Sequence, residues 1–208
     1  MTAPASDATT RARVVVLAGP SGAGKSRLAA RLQGAHGWPI VRLDDFYRDE
    51  DDPAMPRSEE LGIVDWDHPD SWNRQAAVDA LETLVATGAV QTPVYDISLS
   101  RAVDTTTVRA DQHDLILAEG IFAAEIIGDL RDRGLLAGAY CVHHHRVVTF
   151  VWRLLRDLSE HRKPPWTLVR RGLALMRAEP RVVARQEALG AESARAKDLE
   201  PLLSALAH

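Results

Sequence analysis

Apolar residues in this chain fall into two kinds of pattern. Short unbroken apolar runs occupy Val14–Ala18, Leu115–Ala118 and Ala139–Val142. Runs of that length without alternation are those of strands buried on both faces. They predict strands over 13–18, 115–118 and 139–142, and a shorter one over 39–43 that ends at Asp44-Asp45. The second pattern is helical: Ala76, Ala77, Ala80, Leu81, Leu84 and Val85 share one face, which predicts a helix over 71–86 with Ser71 as N-cap and Gly88 as stop. Further helices are predicted over 26–33, 147–158, 167–178 and 197–207. The β-rich runs 90–95 and 103–108 flank a polar turn and read as a hairpin. Residues 48–70 are rich in Pro, Asp and Glu without a period, as in a long functional loop. Residues 1–11 read as a disordered tail and 12–208 as one domain. Strands alternating with helices predict an α/β fold, a mostly parallel sheet with helices on both faces.

Composition narrows the function. Of 208 residues, 46% are apolar, enough for a full core, and the net charge of −4 speaks against a general nucleic-acid binder. The single cysteine, Cys141, lies in an apolar run. It reads as core rather than nucleophile, and it fits a reducing compartment. No stretch reaches the roughly eighteen apolar residues of a membrane span. The first eleven residues lack the apolar segment of a signal peptide, so a cytoplasmic location is expected. A homo-oligomer is compatible with these features and not required by them.

The candidate chemistry begins directly after the first strand, at Gly19-Pro20-Ser21-Gly22-Ala23-Gly24-Lys25-Ser26. This is the G-x-x-x-x-G-K-[ST] phosphate-binding loop in its strand–loop–helix context. Glycines let the backbone curl with its N–H groups inward, Lys25 can reach the β- and γ-phosphates, and the Ser26 hydroxyl can ligate Mg²⁺. The following helix turns its positive end to the same place. Glu119 tips the strand 115–118, where a carboxylate can organise the magnesium shell. Asp44 and Asp45 end another strand, where a carboxylate can take a proton from an attacking hydroxyl. Arg153 and Arg156 share a helix face and, with Arg162 and Lys163, form a basic stretch able to cover a transferring phosphoryl group. His143-His144-His145 does not read as a metal site, because consecutive strand residues alternate faces.

Together these motifs resemble the uridine kinase and phosphoribulokinase group of P-loop kinases. The resemblance rests on GPSGAGKS at 19–26, LDDFYRD at 43–49, DWDHPDSW at 65–72, PVYD at 93–96, LAEGI at 117–121 and RLLRDLSEHRK at 153–163. It implies a P-loop NTPase fold with a small hairpin and a helical lid over about 153–180. ATP and Mg²⁺ are implied, with Gly19 and Ser21 to Ser26 around the phosphates and Ser26 and Glu119 at the metal. Asp44 is implied as the base acting on a substrate 5′-hydroxyl. Tyr47, Asp67 and Tyr95 would line a nucleoside pocket, with Arg153 reaching toward the acceptor. Arg156 and Lys163 would meet the ATP phosphates, and Gly190 would lie near adenine. Where that group carries a histidine a few residues after PVYD, this chain has Ser100. An acceptor other than a nucleoside, such as a sugar phosphate or a pantothenate-like alcohol, therefore stays open. So does an ATP-binding regulatory module with little kinase activity. No nucleic-acid or membrane partner is expected.

Overall fold

The computed structural model describes residues 13–58, 62–143 and 180–205. The tail 1–11, the helices expected over 147–158 and 167–178, and the lid with Arg153, Arg156 and Lys163 lie outside the described residues.

Five parallel strands form the central sheet, in the order β2-β5-β1-β6-β7. They are β1 (Arg13–Ala18), β2 (Ile40–Arg42), β5 (Leu115–Glu119), β6 (Leu136–Val142) and β7 (Glu192–Ala194). β1 sits in the middle, with Val14 opposite Ile116 on one side and Leu17 opposite Tyr140 on the other. Every residue of β1 after Arg13 is buried, as is all of β5. Alternate residues feed two cores. Val14, Val16, Ala18, Ile116 and Ala118 pack with α2 (Arg74–Thr87), α3 (Ile127–Asp132) and the helix described over 180–188, α4. Val15, Leu17, Leu115 and Leu117 pack with α1 (Lys25–His36) and α5 (Ala196–Ala205). Both faces are therefore covered, which is why these strands read as unbroken apolar runs. Leu28, Leu32, Leu199 and Leu203 are each at most 1% exposed, so the two helices of the second layer are fully engaged.

Apart from this sheet stands an antiparallel hairpin, β3 (Ala89–Asp96) and β4 (Arg101–Arg109). Its register shifts between Val94 and Tyr95. A two-stranded ribbon is marginal alone; this one packs through β3 on α2 and on a 3₁₀ turn at Leu43–Phe46.

Two boundaries differ from expectation. The strand predicted over 39–43 stops at Arg42, because residues 43–46 turn into that 3₁₀ helix. Ser71 is not the cap of α2. Asn73 is, its side chain accepting from the Ala76 amide at 3.1 Å. Ser71 closes a 3₁₀ turn begun by Pro69, and its hydroxyl donates to the His68 and Trp66 carbonyls at 2.7 and 3.1 Å. The stop at Gly88 is as predicted, in the left-handed conformation.

Candidate active site

The strand order brings three loops side by side at the carboxyl ends of β2, β5 and β1. In open α/β sheets this is where ligands gather.

The loop after β1 is held against its neighbours by backbone. Gly19 has φ +140°, and a Cβ there would collide with the Val142 carbonyl of β6. Only glycine permits that approach. Lys25, 7% exposed, donates through Nζ to the Gly19 and Pro20 carbonyls at 2.8 and 3.2 Å. Its ammonium is thus stored within the loop that would wrap a polyphosphate. The Ser26 hydroxyl donates to both oxygens of Glu119, at 3.1 and 3.0 Å, across 93 residues of sequence. Glu119 is 6% exposed. Burial pushes its carboxyl above the usual range, Lys25 pulls it back, and Asp44 adds repulsion. A hydroxyl and a carboxylate in contact form an all-oxygen donor pair, the hard set that suits Mg²⁺. A buried carboxylate raised by desolvation also gains from a cation beside it. The residues fit the ion.

Asp44 and Asp45, adjacent in sequence, do different things. Asp45 is buried, 3.6 Å from the Arg42 guanidinium, and accepts weakly from the Tyr95 amide at 3.5 Å. Burial outweighs both partners and raises its carboxyl. Its role is to join β2 to the hairpin. Asp44 is exposed toward the cleft and accepts from the Ile121 amide at 2.8 Å. Gly120 makes room for it: a Cβ at 120 would lie 2.8 Å from Asp44 Oδ1 and 2.9 Å from Leu43 Cβ.

Beyond Asp44 lies a half-buried aromatic group. The Tyr47 ring sits 5.9 Å, centre to centre, from each of Trp66, Tyr95 and Phe122. Burial pushes the Tyr47 hydroxyl far up, and the carboxylates of Asp44 and Asp67 push it further. The Tyr95 hydroxyl is pushed up to about 12 by burial, Asp49 and Glu50. Asp44, Tyr47, Asp67 and Tyr95 are therefore gathered around one space. The cations nearby have partners: Arg48 bonds Asp52 at 3.1 Å and the Asp70 carbonyl at 3.0 Å, and Arg42 pairs with Asp45. Trp72 is 2% exposed, and its indole donates to the Leu43 carbonyl at 2.6 Å, fixing the loop to the turn that carries Asp44.

The sequence matches proteins of known kind. The profile of the Phosphoribulokinase / Uridine kinase family matches residues 14–163. The chain belongs to the phosphoribulokinase/uridine kinase family. A uridine kinase of Clostridium botulinum is 26% identical over 79% of this chain and 78% of its own length. One from Clostridium perfringens is 28% identical over 69% and 67%. A structure from Silicibacter sp. TM1040, proposed to be a fructose transport system kinase, superposes with TM-score 0.63 at 18% identity, covering 87% of this chain and 88% of that one. The phosphoribulokinase from Rhodobacter spheroides gives 0.51 at 14%, covering 86% and 68%. These two likenesses show the shared fold. As a member of the phosphoribulokinase/uridine kinase family, the chain is an ATP-dependent small-molecule kinase.

The expected residues distribute as follows. Gly19, Ser21, Gly22, Ala23 and Gly24 lie between β1 and α1, and Lys25 and Ser26 open α1; Ser26 meets Glu119 at the end of β5, and Asp44, Asp67 and Tyr95 all act electrostatically on Tyr47. Arg153, Arg156 and Lys163 lie outside the described residues. Gly190 follows α4 with φ +100°, and a Cβ there would meet the Arg131 guanidinium at 2.9 Å and Ile127 at 3.5 Å, both on α3. Phe122 was not foreseen, although an aromatic directly after Glu119-Gly120-Ile121 is a signal for it. Cys141 is fully buried, as expected.

Proposed function

We propose that this kinase transfers the γ-phosphate of ATP to the 5′-hydroxyl of a nucleoside such as uridine or cytidine. The observation that carries the reading is Asp44: an exposed carboxylate held by the Ile121 amide at 2.8 Å, electrostatically coupled both to buried Glu119 and to the hydroxyl of Tyr47. It stands between a phosphate loop and an aromatic pocket.

In this reading Lys25 and the loop amides bind the β- and γ-phosphates. Ser26 and Glu119 would hold Mg²⁺, which would supply neutralisation of charge on the phosphate oxygens. Asp44 accepts the proton of the acceptor hydroxyl as that oxygen bonds to the γ-phosphorus and the bond to the ADP oxygen breaks. The work is positioning and charge neutralisation rather than covalent catalysis. Tyr47, Trp66 and Tyr95 supply faces for a flat ring, and Asp67 accepts from sugar hydroxyls. The carboxylates of Asp44 and Asp67 act on the Tyr47 hydroxyl and those of Asp49 and Glu50 on the Tyr95 hydroxyl, while the cations Arg42 and Arg48 are paired with Asp45 and Asp52. Such surroundings favour an uncharged acceptor over a sugar phosphate or pantothenate.

The test is ADP formation with Mg²⁺ against uridine, cytidine, neutral sugars, sugar phosphates and pantothenate. Turnover with pyrimidine nucleosides is expected. Asp44→Asn should lower kcat by a factor on the order of 10³, within the range for a lost general base, while ATP still binds. Near wild-type turnover in that variant overturns the assignment of the base. Turnover confined to an anionic acceptor overturns the nucleoside.

A further inference from the structure

Gln186 lies on α4 and is 4% exposed. A buried amide is costly unless both its ends are bonded, and here both are. Its Nε2 donates to the Ile121 carbonyl at 3.2 Å, and its Oε1 accepts from the Cys141 thiol at 3.2 Å. The orientation is dictated by chemistry, because a carbonyl can only accept. Ile121 is the residue whose N–H holds Asp44 at 2.8 Å. One residue is therefore gripped at both polar groups, by Asp44 on its amide and by Gln186 on its carbonyl. The helix bearing Gln186 is fixed alongside: Arg185 bonds Glu125 at 2.7 Å. Cys141, fully buried in β6, ties the far end of the amide to the central sheet.

We infer that Gln186 is a positioning residue, which sets the Asp44 carboxylate by holding the Gly120–Ile121 segment on which it rests. The N–H and C=O of residue 121 belong to successive peptide planes that meet at its Cα, so a bond to the carbonyl restrains the segment that carries the amide. Losing the bond to the carbonyl loosens the segment whose amide aims Asp44, and small misplacements of a reacting group cost rate rather than binding. An apolar side chain of similar size would fill the same volume without the polar burden. The packing of α4 alone therefore does not call for an amide. This inference rests on Asp44 being the base.

The experiment compares Gln186→Met, Gln186→Asn and Asp44→Asn in the full chain. Methionine keeps the volume and loses both bonds. Asparagine keeps the amide but is too short to span Cys141 and Ile121. In both Gln186 variants kcat should fall about tenfold, with the KM for ATP, the KM for the acceptor and the ATP Kd within about twofold of wild type. If Gln186→Met does not fold, Gln186→Asn carries the test. A kcat within twofold of wild type overturns the inference, as does a loss that appears in nucleotide affinity or merely tracks the folded fraction. If Asp44→Asn retains turnover, the base assignment falls and takes this inference with it. If Asp44→Asn is inactive while the Gln186 variants are normal, this inference alone falls.

Discussion

Lys25, at the start of α1, and Glu119, at the end of β5, are 7% and 6% exposed beside β1, which has no exposed residue between Val14 and Ala18. Across the cleft, Asp44 and Asp67 are exposed and Tyr47, Trp66 and Tyr95 only half-buried. The phosphate side is fixed by core packing. The acceptor side is fixed by single hydrogen bonds from side chain to backbone: Trp72 to the Leu43 carbonyl at 2.6 Å, Tyr95 to the Arg48 carbonyl at 3.0 Å, and Asp49 accepting from the Ala102 amide at 2.9 Å. Opening the first requires unfolding the domain; on the second, the bonds of Tyr95 and Asp49 lie nearer solvent, and the bond of Trp72 is the buried anchor. In the proposed reading, the nucleotide would sit on the rigid side and the acceptor on the adaptable one.

The largest test of that contrast is Trp72→Ala. Removing a side chain this buried should cost about 3–5 kcal/mol of unfolding free energy, read from urea denaturation. Its functional damage should fall on the acceptor side, as a rise in acceptor KM of at least about tenfold, with ATP affinity of the folded fraction nearly unchanged. An equal loss of ATP affinity would mean that the two sides are one unit. Gly120→Ala sharpens the boundary between them. The new Cβ would press on Asp44 Oδ1 and Leu43, so kcat should fall about a hundredfold, the scale of a displacement near 1 Å, while ATP binding is retained. The smallest effect concerns pH. Tyr47, Tyr95 and Tyr140, all the tyrosines of the chain, are held above the ordinary phenol range by burial, with nearby carboxylates adding to it. The native state binds these protons more tightly than the unfolded chain. Stability is therefore whole below about pH 10, the unfolded value, and declines as pH climbs toward about 12, where Tyr95 ionises. Absorbance at 295 nm should stay flat to pH 10 in the folded protein, and Tyr95→Phe should remove part of the alkaline decline. Ionisation of Tyr47 or Tyr95 by pH 10 in the native state, identified by its loss in the corresponding Phe variant, would contradict the packing of the acceptor side.

The same contrast explains which parts of the molecule could be read from sequence. Val14–Ala18, the glycine loop and Leu115–Glu119 were legible because strands covered on both faces leave unbroken apolar runs, and because the loop's glycines have a backbone reason to be there. The hairpin was legible from its β-rich runs. Asn73 was missed as a cap because Ser71 is equally suited to capping, and only the 3₁₀ turn led by Pro69 decides between them. The three residues of β7 carry too little pattern to announce a strand. The bonds of Gln186 to Ile121 and Cys141 join positions 65 and 45 residues away, contacts that no local pattern encodes. Asp44 was legible as a candidate, but its separation from Asp45 was not. One faces the cleft and the other is buried, and that depends on how the chain turns after Arg42.

The order of strands has a consequence for how the protein is made. Among the described residues, β2 pairs only with β5, and β1 pairs only with β5 and β6. The phosphate loop leaves the ribosome early, yet neither strand beside it has a partner until residues 115–119 have followed. A nascent chain ending before Leu115 carries two apolar strands with unpaired edges and a lysine loop with no Glu119 to meet Ser26. Such a chain is exposed to aggregation, and synthesis must pass the middle of the sequence before the first part of the sheet can close.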